Sequence, residues 1–391
     1  PKTPKPQHRE IVIRYYLVTR LIIYLQKMFK KLVAACAATV SAEINTDFEA
    51  YLNGSKYVNS DVLDQIWEQY ETEFTSTKLN SQNDVLRKNT FANNLEAIIA
   101  HNSDPTVTYQ KGINAYTDMT EEEFVAYFNI KSLGADQACS ATNKRMSVSK
   151  GFKNVKDASH WDWRDHNGVS PVKNQGQCGS CWTFSTVGTL EAHSMIKYHR
   201  HFTPMSEQQL VDCAGAFDNN GCQGGLPSHA FEYIMYAGGI STEEAYPYFA
   251  ANHNCTVDPS TFVMKVVGGS VNITEGDENE LKDAVFHHGP VSIAFEVVAG
   301  FKDYKSGVYT SDVCKNGTQD VNHAVVAVGY GHCDVQNMDY WIVKNSWGTA
   351  WGDQGYFKIE RGVNMCGVAV CNSFPHDISA IHHHHKESFL Q

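Results

Sequence analysis

Eleven cysteines are spread over 391 residues, and most of them lie from Cys178 onward. Thiols in such numbers suit an oxidising compartment, where they end as disulfides that tie distant parts of a chain together. That restricts the available folds more tightly than any local propensity, because bridged cysteines must meet at fixed geometry. The count is odd, so at least one thiol stays unpaired. The densest pair falls in "NQGQCGSCWTFS", residues 174–185, where Cys178 and Cys181 form a C-x-x-C. Such a pair can be half a zinc site, a redox dithiol, or a structural cysteine beside an unrelated reactive one.

With 42% hydrophobic residues, the chain can form one large globular domain plus a substantial extra segment. A net charge of −11, with no long Lys/Arg run outside the first thirty residues, gives no footprint for a nucleic-acid backbone, so nucleic acid is excluded as a partner. Residues 1–42 read as an N-terminal extension and signal peptide, with the signal at about 28–42. Met28-Phe-Lys-Lys is a basic start, and "LVAACAATVSA" is a short apolar run with a small-residue cleavage site near Ala42. The preceding "IVIRYYLVTRLIIYLQK" is interrupted by Arg14, Arg20 and Lys27, so no stable membrane span is expected.

A composition shift near residue 157 separates a charged, helical-looking region at 61–101 from a long Gly-, Trp- and Tyr-rich part. In the first part Arg87, Phe91, Asn94, Ile98 and Asn102 are spaced to share one stripe of a helix. Gly112, Asn114, Tyr116 and Asp118 of "GINAYTDMTEEEF" alternate and predict an extended segment, after which "TEEEF" opens a capped helix. Neither segment offers a nucleophile.

"CWTFSTVGTLEAHSMIKY" has helix-compatible content, so Cys181 sits at or near a helix N-terminus, with Gly176 and Gly179 shaping the turn before it. The helix dipole there favours a thiolate. His323 in "NHAVVAVGYG" supplies a base just ahead of an apolar β-branched run that reads as a buried strand. "YWIVKNSWG" reads as a second strand ending in Asn345, with Trp347 two residues on.

With "CGSCW" matching the C-G-[SA]-C-[WY] signature and His323 lying 142 residues after Cys181, the chain resembles the papain family of cysteine proteases, and within it the cathepsin H branch. The resemblance covers roughly residues 61–375. It implies an α+β fold of two lobes, one helical around Cys181 and one β-barrel-like carrying His323 and Asn345, behind an N-terminal helical inhibitory propeptide. The implied domains are a propeptide at 43–156, a mature peptidase at 157–375 and a C-terminal tail at 376–391.

Carried over by residue, Cys181 is the implied nucleophile and His323 its base and later acid. Asn345 orients the imidazole, and Gln175 with the Cys181 amide donates to the oxyanion. A thiolate–imidazolium pair is implied, with a thiol pKa near about 3–4 as in papain. Trp347 covers the His323–Asn345 bond, and Gly224 and Gly225 resemble the strand that holds the substrate backbone. The implied disulfides are Cys178–Cys222, Cys213–Cys255 and Cys314–Cys366. The helical stripe matches the family's propeptide signature, apart from Asn83 where Glu is usual. The acidic residues Asp118, Glu121, Glu122 and Glu123 are expected to lose charge on acidification and release the propeptide.

"ADQACSATNKR", residues 135–145, resembles the cathepsin H mini-chain, an octapeptide at 135–142 tethered by Cys139 to Cys371. There the carboxylate of Thr142 meets the substrate's free amino group. The implied activity is a lysosomal-type aminopeptidase with some endopeptidase action, destined for lysosome, vacuole or secretion. The alternatives are a cathepsin L-like endopeptidase without a retained mini-chain, and a catalytically silent homologue acting as a binding subunit.

Expected partners are peptide and protein substrates, the chain's own propeptide as inhibitor and cystatin-like inhibitors, with a monomeric state; no cofactor or metal motif occurs. Asn53, Asn254, Asn272 and Asn316 open N-x-[ST] triplets, with Asn254 expected to be occluded by its bridged neighbour, while Ala138 leaves the mini-chain without one. The histidines at 382–385 read as a solvated extension, Cys36 falls in the signal segment, and Cys333 has no expected partner.

Overall fold

The computed structural model describes residues 60–74, 84–132, 139, 158–199 and 202–381. The signal segment, Asn53, Asn83, Thr142 with the rest of 135–142 except Cys139, and the histidines at 382–385 lie outside the described residues. The chain divides into two compact units, Pro1–Val62 and Leu63–Gln391, and of the first only residues 60–62 are described, at the start of a helix.

That helix, α1 (Ser60–Glu73), precedes α2 (Asp84–Asn102), which carries the predicted stripe. Its apolar members, Phe91 and Ile98, are buried together with Leu95, as i, i+4, i+7 spacing requires. Phe91 packs edge-on against Trp67 at 5.2 Å and against Tyr70 at 4.7 Å, joining the two helices. The polar members hold the chain that follows. Asn102 donates to the Lys111 carbonyl and accepts from its amide, both at 2.9 Å. Asn94 donates to the carbonyls of Thr117 and Met119 at 2.7 and 2.9 Å, and Arg87 forks onto Glu123 at 2.8 and 3.0 Å.

The extended reading of residues 112–118 is corrected here. Strand β1 spans only Tyr109–Lys111, and residues 115–118 form a turn. Asn114 Oδ1 accepts from the Tyr116 amide at 2.9 Å while its own amide donates to Thr117 Oγ1 at 2.9 Å, and these local bonds override the alternation. Helix α3 (Glu121–Phe128) does open on the predicted capping box, with Thr120 and Glu123 bonding each other's backbone amides.

Residues 158–381 build two cores. Helices α4 (Cys181–Tyr198), α5 (Glu207–Cys213) and α6 (Pro227–Ala237) pack around Trp182, Leu190, Leu210, Phe231 and Ile234. A three-stranded sheet, β3 (Ile240–Ser241), β4 (Phe262–Val266) and β12 (Ile378–Ala380), closes this core with Met264, Val266 and Ile378. Residues 376–381, expected in the tail, are therefore part of the fold.

The second core lies on a larger sheet in the order β1-β7-β10-β9-β8-β6-β11-β5, with β2 (Trp161–Asp162) paired to β8. Its strands are β5 (Ser270–Asn272), β6 (Val291–Phe295), β7 (Tyr304–Tyr309), β8 (His323–Cys333), β9 (Met338–Lys344), β10 (Tyr356–Glu360) and β11 (Ser373–Pro375), with α7 (Glu278–His287) packed alongside. Prosegment side chains Tyr116, Met119, Phe124 and Phe128 belong to the same buried cluster as Phe295, Trp341, Trp347 and Phe357. Burying each such aromatic contributes roughly 1.5–3 kcal/mol, so the prosegment completes the core of the β lobe.

Candidate active site

Three elements converge on one cavity of about 60 Å³, lined by Cys181, His323, Gly224, Gly225 and Cys371 among others. Cys181 is the first residue of α4, and Ser180, which precedes it, spends its hydroxyl elsewhere than on the helix. The helical lobe is fastened to the β lobe where Ser185 of α4 donates to the Val325 carbonyl of β8 at 2.7 Å. Two residues earlier on β8, His323 opens the strand.

The Ser346 amide donates to Asn345 Oδ1 at 2.8 Å, which identifies that atom as the oxygen. His323 Nε2 approaches the same oxygen at 2.8 Å, so Nε2 carries the ring proton and Nδ1 holds the lone pair. Nδ1 is buried with no hydrogen-bond partner among the described residues. Trp347, 1% exposed, stacks on the His323 ring with centroids 4.7 Å apart.

Burial pushes the Cys181 thiol up to about 11, opposed by a hydrogen bond from the Ala324 backbone, and burial pushes His323 down to about 4. The prosegment walls the cavity beside both groups: Asn129, Lys131 and Ser132 line it. Asn129 Nδ2 donates to the Cys222 carbonyl at 2.6 Å and Lys131 Nζ to Gln223 Oε1 at 2.9 Å.

Gln175 is 1% exposed; its Nε2 donates to the Cys178 carbonyl at 3.0 Å and its Oε1 accepts from Ser346 Oγ at 2.7 Å. An amide nitrogen has two protons, so one remains for a ligand. Gly224 and Gly225 lie in a loop rather than a strand. Gly224 has φ +115°, and a Cβ on Gly225 would meet the Trp182 ring at 2.7 Å.

Cys178 is bridged to Cys222, leaving Cys181 a free thiol. Cys213–Cys255 and Cys314–Cys366 are also bonded, and Cys139 is bonded to Cys371 with Cα atoms 5.1 Å apart. The Cys139 carbonyl additionally accepts from Ser228 Oγ at 3.2 Å. Cys333 is free and half-buried. Asn254 and Asn316 are exposed, contrary to the expected occlusion of Asn254, because the adjoining Cys255 is itself exposed. Asn272 is 5% exposed within β5, and that burial leaves no room for a glycan.

Two of the four acidic residues, Asp118 and Glu121, oppose the expected release. Burial raises the carboxyls of Asp118 and Glu121, so protonating them favours the docked form; among the shifted ones only exposed Glu122 is lowered, by its own backbone amide and the Thr120 hydroxyl. The residues that sequence reasoning missed are Phe128, Asn129, Ser346 and Tyr248. Ser346 alone had a signal, standing between Asn345 and Trp347.

A half-buried free thiol at a helix start and an imidazole oriented by an amide define a cysteine hydrolase. A family model described as papain family cysteine protease matches residues 158–376, and one described as cathepsin propeptide inhibitor domain (I29) matches residues 67–124. The chain belongs to the papain family of cysteine proteases. It is 51% identical over 288 residues to a pro-cathepsin H of Medicago truncatula, covering 73% of this chain and 78% of that one. To the pro-cathepsin H of Mus musculus it is 47% identical over 308 residues, covering 78% and 87%. Among solved structures, the digestive procathepsin L2 proteinase from Tenebrio molitor larval midgut is similar at TM-score 0.74 and 38% identity, covering 80% of this chain and 99% of that one. The chain is thus a cysteine peptidase zymogen carrying its own inhibitory propeptide.

Proposed function

We propose that this zymogen matures into a cysteine peptidase acting mainly as an aminopeptidase, with Cys181, His323, Asn345 and Gln175 as its catalytic set. Once the prosegment leaves and water or substrate enters, the Cys181 proton passes to His323 Nδ1. The thiolate then attacks the substrate carbonyl carbon; a C–S bond forms and the π pair moves to oxygen. That oxygen accepts from Gln175 Nε2 and the Cys181 amide, whose N1 position has no intrahelical acceptor. As the C–N bond breaks, the imidazolium protonates the leaving amine. Water, deprotonated by His323, then attacks the thioester and regenerates the thiolate.

The observation carrying the exopeptidase reading is the Cys139–Cys371 bridge, because Cys371 lines the same cavity as Cys181. A short peptide left on that tether fills one end of the cleft and presents the Thr142 carboxylate to a substrate ammonium. Such a charge-assisted contact contributes roughly 1.5–3 kcal/mol. Leu226, Pro227, Ala294 and Val321 line the cavity and suit an apolar side chain. The disulfides and propeptide fit a secreted, vacuolar or lysosomal setting. No helix among the described residues is long and apolar enough to cross a membrane.

The test compares mature wild type and Cys139→Ser on one peptide with and without an N-terminal acetyl group. Wild type is expected to prefer the free terminus strongly, and Cys139→Ser to lose that preference while gaining internal cleavage. An unchanged ratio would replace this reading by the endopeptidase one.

A further inference from the structure

Tyr248 lies 67 residues downstream of Cys181 and outside the motifs that mark the site. Its hydroxyl nevertheless touches both sides of the loop that leads into the nucleophile: Gln175 O at 2.7 Å and Ser180 Oγ at 2.6 Å. A phenol has one proton, and a carbonyl can only accept. The Tyr248 hydroxyl therefore donates to Gln175 O, and the Ser180 hydroxyl donates to Tyr248 Oη. This explains why Ser180 does not cap α4 with its side chain.

The phenol is itself fixed. Its ring meets Phe184 edge-on at 4.9 Å and packs against the Cys178–Cys222 bridge. Its backbone amide donates to Glu243 Oε1 at 2.8 Å. At the start of the same segment Lys173 Nζ, two residues before Gln175, donates to Glu207 Oε1 at 2.7 Å. The segment 173–180 is thus gripped at both ends and across its middle, although Gly176 inside it, at φ +58°, is a natural pivot.

We propose that Tyr248 is a positioning residue for the oxyanion site, setting the separation between the Gln175 amide and the Cys181 backbone N–H. The proposal rests on the reading of those two donors as the oxyanion site. Tyr248 touches no substrate; it sets the distance between two groups that do, and displacements well under 1 Å matter to such donors.

The test uses enzyme matured from the full chain. Tyr248→Phe keeps the ring on Phe184 and removes only the hydroxyl. Three quantities are read: kcat and KM on a peptide with a free N-terminus, the affinity for a peptide aldehyde, whose hemithioacetal places an oxyanion between the donors, and the rate of Cys181 alkylation by iodoacetamide, which forms no oxyanion. In Tyr248→Phe, kcat and aldehyde affinity fall together by about tenfold, while KM and alkylation stay within about twofold.

An unchanged aldehyde affinity, or alkylation falling in step with kcat, overturns the proposal, since either means that the hydroxyl acts on folding or on the thiol. Gln175→Ala separates the two readings. If it loses kcat and aldehyde affinity while Tyr248→Phe does not, the Tyr248 proposal alone is overturned. If Gln175→Ala itself changes nothing, the oxyanion reading fails and the proposal with it.

Discussion

Phe128 of the prosegment stacks on Trp347 with centroids 5.0 Å apart and planes 28° from parallel, and Trp347 stacks on His323 at 4.7 Å and 23°. A prosegment helix thus ends in a ring pile that continues to the His323 imidazole. The Tyr116 hydroxyl, also from the prosegment, donates to the Trp347 carbonyl at 2.9 Å and secures the same residue from another direction.

Phe128→Ala is expected to loosen the precursor. Phe128 is 1% exposed, and truncating a buried Phe costs about 3–5 kcal/mol. The uncut precursor should then hydrolyse a small peptide that the wild-type precursor leaves untouched, and should melt at lower temperature. A variant precursor as silent as wild type would show that the pile does not carry inhibition.

Cys181→Ser is expected to lower turnover by about 10⁶-fold, as removing the nucleophile of a catalytic triad does, with little change in melting temperature. Labelling by an epoxide thiol probe should vanish. Residual labelling at full stoichiometry would move the assignment to Cys333, the other free cysteine among the described residues.

In Asn345→Ala, His323 Nε2 loses its 2.8 Å partner and the ring is free to turn. A misoriented imidazole costs about 10²-fold in kcat, while KM, set by the cleft walls, is expected to hold. Loss confined to KM would assign Asn345 to substrate binding instead.

The acid response is expected to come from a histidine. His101 Nε2 bonds the Tyr109 carbonyl at 3.1 Å, and burial lowers its pKa below the usual 6.5. A histidine lowered in the folded state stabilises the folded prosegment above pH 6.5 and loses that contribution as pH falls from 6.5 through its lowered value. Raised carboxyls such as Asp118 and Glu121 act in the opposite sense. In a Cys181→Ser background, His101→Gln should therefore flatten the fall in melting temperature between about pH 7 and 5. An unchanged slope would return the switch to other groups.

Much of this was legible in the sequence for physical reasons. The α2 stripe, the Thr120–Glu123 box and the β8 run are local patterns, and each produced the element its period demands. The segment 112–118 misled because Asn114, placed at an alternating position, used its side chain to build a turn. The bridges were accessible only through family resemblance, since spacing does not determine connectivity. Tyr248 and Phe128 were invisible because their importance depends on contacts 68 and 219 residues away, with Ser180 and Trp347.

The pairing of β1 with β7 leaves a liability that appears only after activation. Tyr109 lies opposite Gly307, and a Cβ on Gly307 would lie only 2.7 Å from the Thr108 carbonyl oxygen and from Tyr109 Cα. When the prosegment departs, β7 becomes the rim of the sheet, with backbone groups bare to any extended polypeptide nearby. Exposed rims of this kind invite aggregation and are commonly blunted by lysine and by broken register. Exposed Lys305 and the left-handed Gly307 stand on β7, where the register with β1 is already irregular. The strand is thus prepared for solvent before it ever meets it.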